Sequence, residues 1–325
     1  MRVERIPNHP ARTPGRLFPI LLTLALGAGL APACAGSDGK SDPAPVTCPA
    51  PQFENPGTYT MQTLVYDTVG GVGLEADVYT PSQPGPHPGM VTIHGGGWIM
   101  NDRTLVHRVA EYYAQHGFVV MNVEYRLIQA PDVMMGDLGR DVVCAVRWLK
   151  AHSEDYGMTR ECVGLLGESA GGHLTALAAL ADDRPEFMAG CEEAGATDGK
   201  VWYAMPYYGV FDFDLMLQDM HGDPSFLSIF FRPTDSVADY SPITLTERRL
   251  SVDFFVTAGT GDTLVDPQQS IRFEQALEAS GHNAIFVPVE GAPHGYVAGG
   301  FDGPFNAVAQ PHAEAFLVES LARTK

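Results

Sequence analysis

Ser169 lies in the pattern G-E-S-A-G at residues 167–171. The preceding CVGLLG has the pattern of a buried strand, and the following AGGHLTALAALADD has the pattern of a helix. A sharp turn from a strand into a helix needs small flanking residues, and it exposes the serine hydroxyl above the sheet. The pattern therefore predicts that Ser169 is a nucleophile; the alternative is a serine that only fills a tight turn.

A glycine-rich stretch, HGGGW at residues 94–98, follows another apolar strand pattern, GMVTI. Three consecutive glycines cost backbone entropy, so they need a reason. Backbone N–H groups that meet the oxyanion of an acyl-transfer transition state contribute about 3–4 kcal/mol each. We predict an oxyanion hole formed by the N–H groups of Gly96, Gly97 and Ala170, with His94 holding the loop in place. The alternative, a phosphate-binding loop, lacks the lysine of that motif.

A serine hydroxyl needs an adjacent base to become a good nucleophile. His294 follows the strand pattern NAIFVPVEG, so it should emerge at the same carboxyl edge of the sheet as Ser169. His282 falls between a helix and a strand, at the opposite edge, and His173 and His312 lie within helix patterns. We therefore predict that His294 is the base.

Two carboxylates, Asp262 and Asp266, follow the strand pattern DFFVTAG. Asp266 precedes Pro267 and a helix pattern, which is the expected arrangement of an N-cap followed by proline. Asp262 has no such structural role, so we assign it to orient His294 and to stabilise its imidazolium form. The chain order is then Ser169, Asp262, His294.

These residues are carried by alternating strand and helix patterns. An antiparallel hairpin is expected across Gly70 and Gly71, and the later alternation predicts an α/β fold with a mostly parallel, doubly wound sheet. The strand patterns are TYTMQTLVYDT, GLEADVYT, GMVTIHG, FVVMNVEYRL, CVGLLG, VWYAMPYYG, RLSVDFFVTAG and NAIFVPVEG. The helix patterns are LVHRVAEYYAQHG, GRDVVCAVRWLKAHSEDYG, AGGHLTALAALADD, QQSIRFEQALEASG and NAVAQPHAEAFLVESLAR, the last with a break expected at Pro311.

The chain divides by sequence into a signal peptide (1–33), a flexible tether (34–57) and one catalytic domain (58–325). Four arginines precede the apolar run LFPILLTLALGAGLAPA, as in an export signal. Cys34 stands where a bacterial lipoprotein is cleaved and acylated, although Ala31 replaces the usual leucine three places earlier; the alternative is ordinary cleavage near Ala33 or Ala35. We expect an exported protein, either secreted or a lipoprotein of the cell envelope.

The charge argues against nucleic acid as a partner. The net charge is −19, and the first 33 residues carry four arginines against one glutamate, which leaves about −22 on the rest. Such a surface repels phosphate backbones. The partner that we expect is a small-molecule substrate; a membrane contact would come only through Cys34. The sequence does not determine the oligomeric state.

Four further cysteines, Cys48, Cys144, Cys162 and Cys191, permit two disulfides in three connectivities. An exported protein meets an oxidising compartment, so both bridges are expected to form. We favour a Cys162–Cys191 bridge, because both residues should lie at the amino edge of neighbouring strands. No CxxC pair or histidine–cysteine cluster indicates a metal.

The combination of HGGGW and GESAGGHL resembles that of the hormone-sensitive-lipase-like and carboxylesterase-like bacterial esterases, and the chain from about Tyr59 onward resembles the α/β-hydrolase fold. The resemblance implies ester hydrolysis through an acyl-enzyme without a cofactor. One departure is the segment after Trp98, where relatives often carry a glycine and this chain has IMND at residues 99–102. Alternatives are an arylformamidase-like amidase, a lipase for longer acyl chains and a non-catalytic cell-surface binding protein.

The substrate is the least determined feature. Too few residues precede the first strands to build an N-terminal helical cap, and residues 209–249 are expected to form a small lid-like insertion. A shallow site of this kind favours short acyl chains, with acetylated or feruloylated carbohydrate as candidates. Aromatic side chains could line the site or could only pack the core and lid. These residues are Tyr207, Tyr208, Phe211, Phe226, Phe230 and Phe231.

Overall fold

A computed structural model of the protein describes residues 45–130, 132–219, 224–298 and 300–325. The chain divides into two compact units, 1–43 and 44–325, and the described residues belong to the second. The predicted signal peptide, Cys34 and the first part of the predicted tether lie outside the described residues. Within the described part of the chain, no helix is both long enough and apolar enough to span a bilayer.

One mixed sheet organises the described domain. Its strands are β1 (Tyr59–Val69), β2 (Val72–Pro81), β3 (His87–Ile93), β4 (Val119–Val123), β5 (Met158–Glu168), β6 (Tyr203–Tyr207), β7 (Asp253–Gly259) and β8 (Ala284–Val289). Their spatial order is β1-β2-β4-β3-β5-β6-β7-β8. The pairs β1–β2 and β2–β4 are antiparallel, and the six strands from β4 to β8 in this order are parallel to one another. The predicted fold class is therefore confirmed.

The opening hairpin turns where the sequence predicts it. Val69 pairs with Val72 across Gly70 and Gly71, whose φ angles are +60° and +83°. Glycine adopts such left-handed angles at little cost, so the two-residue turn is compatible with the twist of the strands. The hairpin prediction is confirmed.

The inner strands are apolar throughout because both of their faces are covered. All residues of β3, β4, β6 and β7 are buried. The helices that cover them are α1 (His107–Gln115), α2 (Met135–Ala151), α3 (Ala170–Ala181), α4 (Pro185–Met188), α5 (Phe213–Asp219), α6 (Gln268–Ser280) and α7 (Asn306–Ala322). One apolar cluster packs α2, α3 and α6 on one face of the sheet, and a second packs α1 and α7 on the other.

Helix α2 begins four residues before the predicted start. The carboxylate of Asp137 accepts a hydrogen bond from the N–H of Met134 (2.9 Å), which caps the helix start. Gly136 and Gly139 resemble helix breakers in the sequence, but they allow close packing instead. A Cβ on Gly139 would lie 2.7 Å from the ring of Phe187.

The predicted break at Pro311 is wrong, because α7 continues through this residue. Pro311 is the sixth residue of the helix, so its missing N–H removes only one bond near the helix start. The buried face beyond it, with Ala313, Phe316 and Leu317, holds the helix against the sheet. Two predicted strands, FVVMNVEYRL and RLSVDFFVTAG, are shortened to β4 and β7.

Two disulfides are present, but the favoured Cys162–Cys191 pairing is wrong. Cys48 is bonded to Cys162, and Cys144 is bonded to Cys191. Cys191 lies in the loop that follows α4, which packs against α2, so its partner is Cys144 of α2. Cys162 is left at the start of β5, where the N-terminal segment passes.

The N-terminal segment joins the domain before the predicted end of the tether. The N–H of Val46 donates to the carbonyl of Lys325 (3.1 Å), Cys48 forms a disulfide, and the N–H of Gly57 donates to the carbonyl of Gln115 (2.7 Å). The ring of Phe53 packs among aromatic rings of α1 and the turn after it. Residues 46–57, in the part of the chain for which the sequence predicts a tether, therefore contact the amino edge of the sheet.

The segment between β6 and β7 forms the expected insertion. It contains α5 and short 3₁₀ turns at Pro224–Ile229, Val237–Tyr240 and Pro242–Leu245. Tyr240 packs against Phe187 and Phe231, and Arg184 stacks over its ring. These contacts hold the insertion over α3, beside the carboxyl edge of the parallel strands.

Candidate active site

Ser169 occupies the turn between β5 and α3 with a φ of +53°. This angle is strained for a residue with a side chain, and such strain is characteristic of functional sites. The glycines around the turn allow the backbones to approach. A Cβ on Gly167 would lie 2.3 Å from the carbonyl oxygen of Gly171, and a Cβ on Gly171 would lie 2.2 Å from that of Ile93.

The structure brings the three predicted side chains together. The Oγ of Ser169 lies 2.9 Å from Nε2 of His294, and Nδ1 of His294 lies 2.7 Å from Oδ2 of Asp262. Since the carboxylate can only accept, Nδ1 carries a proton and Nε2 of a neutral imidazole accepts from the serine hydroxyl. The chain of hydrogen bonds thus points the base at Ser169.

Asp262 is held in its ionised form by its partners. Burial by itself would raise the pKa of Asp262, but hydrogen bonds from His294 and from the N–H groups of Val265 and Leu264 lower the pKa below its ordinary value. Asp266 instead accepts from the N–H of Gln268 (2.9 Å) at the start of α6. In the structure, Asp262 contacts the imidazole and Asp266 contacts the N–H of Gln268 at the start of α6.

The glycine-rich loop passes close to Ser169. Gly96 and Gly97 have φ angles of +126° and +58°, and a Cβ on Gly95 would lie 3.2 Å from the Cβ of Ser169. The carbonyl of Gly96 accepts from the N–H groups of the residues at 99 and 100, which closes the loop into a tight turn. Within the described residues, the N–H groups of Gly96, Gly97 and Ala170 have no hydrogen-bond partner.

His94 fixes the base of this loop. It is fully buried, its ring stacks on Tyr125 at 4.3 Å between centroids, and its Nδ1 lies 2.7 Å from the carbonyl oxygen of Gly95. The hydroxyl of Tyr125 donates to the carbonyl of His94 (2.9 Å). Neither His94 ring nitrogen contacts Ser169, so a structural role in the loop agrees with the geometry.

Asn101 lies in the segment after Trp98 in which the sequence departs from its relatives. Its φ is +71°, the left-handed conformation that glycine adopts most readily and asparagine tolerates better than most residues. The segment after Trp98 therefore contains a left-handed residue, and in this chain that residue is Asn101. The sequence gives a weak signal for this, since asparagine is enriched at such angles.

Two cavities meet at Ser169. One, of about 350 Å³, is almost entirely apolar and is enclosed by the loop, α3, α6 and the insertion. Its walls include Trp98, Ile99, Val210, Met216, Ile229, Phe230, Leu264 and Val265. The second, of about 400 Å³, lies on the side of His294 and is lined by residues that include Met100, Asn101, Leu105, Tyr208 and Ala298.

The predicted aromatic residues divide between these cavities and the core. Phe230 lines the first cavity and Tyr208 lines the second. Tyr207, Phe211 and Phe231 are buried in packing contacts with other aromatic rings. The side chain of the remaining residue, Phe226, lies outside the described part of the structure.

Glu168 and Tyr208 form a buried pair that the sequence analysis missed. The hydroxyl of Tyr208 donates to Oε2 of Glu168 (2.7 Å), and its ring lies 5.1 Å from that of His294. Burial raises the pKa of Glu168 to about 7, and the hydrogen bond from Tyr208 only partly opposes this. A carboxyl group at the end of an otherwise apolar strand pattern is the sequence signal that could have identified it.

The chain is similar in sequence and in fold to known esterases. A family model described as BD-FAE matches residues 76–277. The chain is 33% identical over 253 residues to the probable carboxylic ester hydrolase LipM of Mycobacterium tuberculosis, and 27% identical over 251 residues to the esterase LipC of that organism. These alignments cover 73% and 74% of this chain, but only 56% and 60% of the two relatives.

Solved structures of esterase 2 from Thermogutta terrifontis are similar in fold. The butyrate-bound form matches with a TM-score of 0.70 at 25% identity, and the propionate-bound form matches with a TM-score of 0.69 at 26% identity. Each match covers 80% of this chain and 94% of the esterase. The similarity therefore extends over nearly the whole of a structurally characterised esterase.

Proposed function

The chain belongs to the BD-FAE family, and from this membership and the geometry at Ser169 we propose that it is a serine hydrolase of carboxylic esters. The observation that carries the proposal is the continuous contact from Asp262 through His294 to Ser169, with 2.7 Å and 2.9 Å between the bonded atoms. Unpaired backbone N–H groups beside Ser169 support the same reaction, because they can meet the negative charge that develops on an ester carbonyl oxygen.

The reaction follows from the hydrogen-bond directions. Ser169 Oγ attacks the carbonyl carbon while Nε2 of His294 takes the hydroxyl proton, and Asp262 stabilises the imidazolium that forms. The N–H groups of Gly96, Gly97 and Ala170 bind the oxyanion. The bond to the alcohol oxygen then breaks, and His294 returns the proton to that oxygen. Water, deprotonated by His294, repeats these steps on the acyl-enzyme and releases the carboxylic acid.

The direction of proton transfer assigns the two cavities. The leaving alcohol oxygen receives its proton from His294, so the alcohol part of the ester belongs in the cavity that His294 lines. The acyl part then belongs in the apolar cavity on the far side of Ser169. That cavity is bounded by α6 and the insertion, which favours short acyl chains. The propionate and butyrate in the titles of the Thermogutta structures support this preference.

Active-site labelling tests the reaction. A fluorophosphonate probe should label the wild type and fail to label Ser169→Ala, whose kcat should fall at least about 10⁴-fold. Asp262→Asn should lower kcat by roughly 10³–10⁴-fold, because the amide no longer holds the imidazole in the required tautomer. The matched control is Asp266→Asn, which should keep most of the helix-capping stability, because asparagine caps a helix about as well as aspartate, and should lose less than tenfold in kcat.

Equal losses in the two aspartate variants would contradict the assignment of Asp262. A folded wild-type protein that the fluorophosphonate does not label would contradict the proposed hydrolase activity. For the acyl preference, rates on a series of p-nitrophenyl esters should be highest at acetyl to butyryl chains. A maximum at long chains would exclude the short-chain proposal, and acetylated and feruloylated carbohydrates are the natural esters to compare next.

We further propose that residues 1–33 are removed as an export signal and that Cys34 is acylated, which would make the protein an envelope lipoprotein. The two disulfides of the described domain support exposure to an oxidising compartment. The mass of the mature protein purified from membranes would test this. A mass that corresponds to a chain beginning at Ala35, or at Cys34 without a modification, would contradict acylation.

A further inference from the structure

His173 is a buried histidine that the proposed reaction does not use. It lies one helical turn after Ser169 on α3, is fully buried, and its N–H donates to the carbonyl of Ser169 (3.0 Å). Its side chain points away from the reacting atoms and contacts two other parts of the fold. One contact is with Trp98 of the glycine-rich loop, and the other is with Tyr240 of the insertion.

Both ring nitrogens of His173 have partners that fix their roles. The indole N–H of Trp98 can only donate, so Nδ1 of His173 accepts from it (3.2 Å). The carbonyl oxygen of Tyr240 can only accept, so Nε2 of His173 carries the proton and donates to it (2.8 Å). The imidazole must therefore be neutral and in one tautomer. Burial lowers the pKa of His173 to about 4, which keeps it neutral at ordinary pH.

The two contacts join the walls of the acyl cavity. Trp98 forms one wall and belongs to the loop that carries Gly96 and Gly97. Phe230 of the insertion forms another wall, and its ring packs at 5.2 Å from the indole of Trp98. The Tyr240 carbonyl belongs to the same insertion. A single imidazole thus connects the loop, the helix after the nucleophile and the insertion, immediately behind the cavity.

We propose that His173 is a positioning residue that sets the acyl-chain selectivity by holding Trp98 against the insertion. The inference rests on the proposed ester hydrolysis and on the assignment of the apolar cavity to the acyl group. An acetyl group is too short to press on this wall, whereas a longer chain must end against it. Loss of the bridge should therefore change the selectivity among longer chains and leave the chemistry at Ser169 in place.

The test compares acetyl, butyryl and octanoyl p-nitrophenyl esters. In His173→Phe, which keeps a ring but has neither donor nor acceptor, the ratio of kcat/KM for octanoyl to butyryl should rise about tenfold, since one methylene in an apolar pocket is discriminated by this amount or more. The kcat for the acetyl ester should change less than threefold. His173→Gln retains a donor and an acceptor, so its ratio should lie closer to that of the wild type.

Hydrogen exchange at the indole N–H of Trp98 gives a readout that needs no substrate. Protection should be lost in His173→Phe and largely retained in His173→Gln. If His173→Phe does not fold, Trp98→Phe removes the same hydrogen bond from the other side and should also raise the octanoyl-to-butyryl ratio.

The matched control is His282→Gln. His282 is also buried and contacts two carbonyls, of Val252 and Thr246, but at the opposite edge of the sheet. It should lose stability without a change in chain selectivity. An octanoyl-to-butyryl ratio that is unchanged in folded His173→Phe or Trp98→Phe, or that changes equally in His282→Gln, would overturn the proposed role of His173. Such a result would leave the proposed ester hydrolysis in place. A wild type that hydrolyses none of the esters would overturn the proposed function with it.

Discussion

Glu168 is a carboxyl group that the fold buries completely beside the nucleophile. Oε2 accepts from Tyr208, whereas Oε1 has no hydrogen-bond partner within the described residues. A buried carboxylate with one partner is costly, so the group binds its proton more tightly in the native state than in the unfolded chain. The pKa of Glu168 rises from 4.5 to about 7 for this reason.

This shift predicts a stability that falls as pH rises. Below pH 4.5 the group is protonated in both states and costs nothing; between pH 4.5 and about 7 only the unfolded chain releases the proton. Above about pH 7 the native state carries the full penalty, about 3 kcal/mol. Glu168→Gln cannot ionise, so its gain in unfolding free energy over the wild type should grow by up to about 3 kcal/mol from pH 4.5 to pH 8.

Urea unfolding at pH 4.5, 6 and 8 measures this difference. The matched control is Glu161→Gln, measured at the same pH values, which removes a carboxyl group from the same strand at a position exposed to solvent. If the unfolding free energies of Glu168→Gln and the wild type differ by the same amount at all three pH values, the carboxyl group of Glu168 is not held protonated.

At the scale of single residues, the sequence predicts the residues that directly follow a strand better than the residues that contact them from other segments. Ser169, Asp262 and His294 could be found because the carboxyl ends of parallel strands meet at one edge. Tyr208 follows β6 directly, so the same rule places it at this edge, although its bond to Glu168 has no sequence signal. The partner of His173 at Tyr240 could not be found, since Tyr240 reaches the site only through the path of the insertion, which no local pattern specifies.

The glycine-rich loop carries a prediction of its own. Asn101 has a φ of +71°, where a side chain branched at Cβ is a steric outlier. Asn101→Gly should keep kcat/KM within about threefold, whereas Asn101→Val should lose roughly tenfold or more, because the strain of about 1–3 kcal/mol shifts the loop that holds Gly96 and Gly97.

Kinetics on a short-chain ester and thermal unfolding check both variants. Asn283→Val, at an asparagine before β8 without a positive φ, should leave kcat/KM unchanged. Full activity in Asn101→Val would mean that the loop does not depend on the left-handed conformation at this position.

At the scale of elements, periodicity predicted the order of strands and helices, and tertiary contacts decided their ends. Helix α2 includes two glycines that look like breakers, because Phe187 and Tyr240 fill the space that side chains would take. Helix α7 continues through Pro311, because packing farther along outweighs one missing hydrogen bond. The break predicted at Pro311 is wrong because proline was considered without the packing contacts of its neighbours.

At the scale of the whole described domain, residues 46–57 lie along one edge of the sheet. The Cys48–Cys162 bridge joins residues 114 positions apart and ties this segment to the start of β5. The double variant Cys48→Ser/Cys162→Ser should lose roughly 2–4 kcal/mol of stability. Amide exchange should accelerate at Gln52 and Gly57, whose N–H groups bond to the turn after α1 and to its last residue.

Activity at 25 °C should change less than twofold in this variant, because the bridge is remote from Ser169. The matched control is Cys144→Ser/Cys191→Ser, which should lose stability while Gln52 and Gly57 stay protected. A folded Cys48→Ser/Cys162→Ser protein with little activity would contradict the separation of the two edges.

The disulfide connectivity shows the limit of sequence inference at this scale. Cys48 lies in a segment with no strand or helix pattern, so nothing local indicated that it crosses the amino edge of the sheet. The favoured Cys162–Cys191 pairing failed because Cys191 sits beside α2 rather than at a strand end. Pairing depends on where irregular segments run, and periodicity does not describe irregular segments.

The chain enters the described domain at the edge of the sheet opposite to the nucleophile. Val46 and Cys48 are fastened beside the starts of the parallel strands, whereas Ser169 lies just past the end of β5. A label or solid support joined to the chain just ahead of Val46 would therefore attach at the edge of the described domain that is remote from Ser169, and ester hydrolysis should not depend on it.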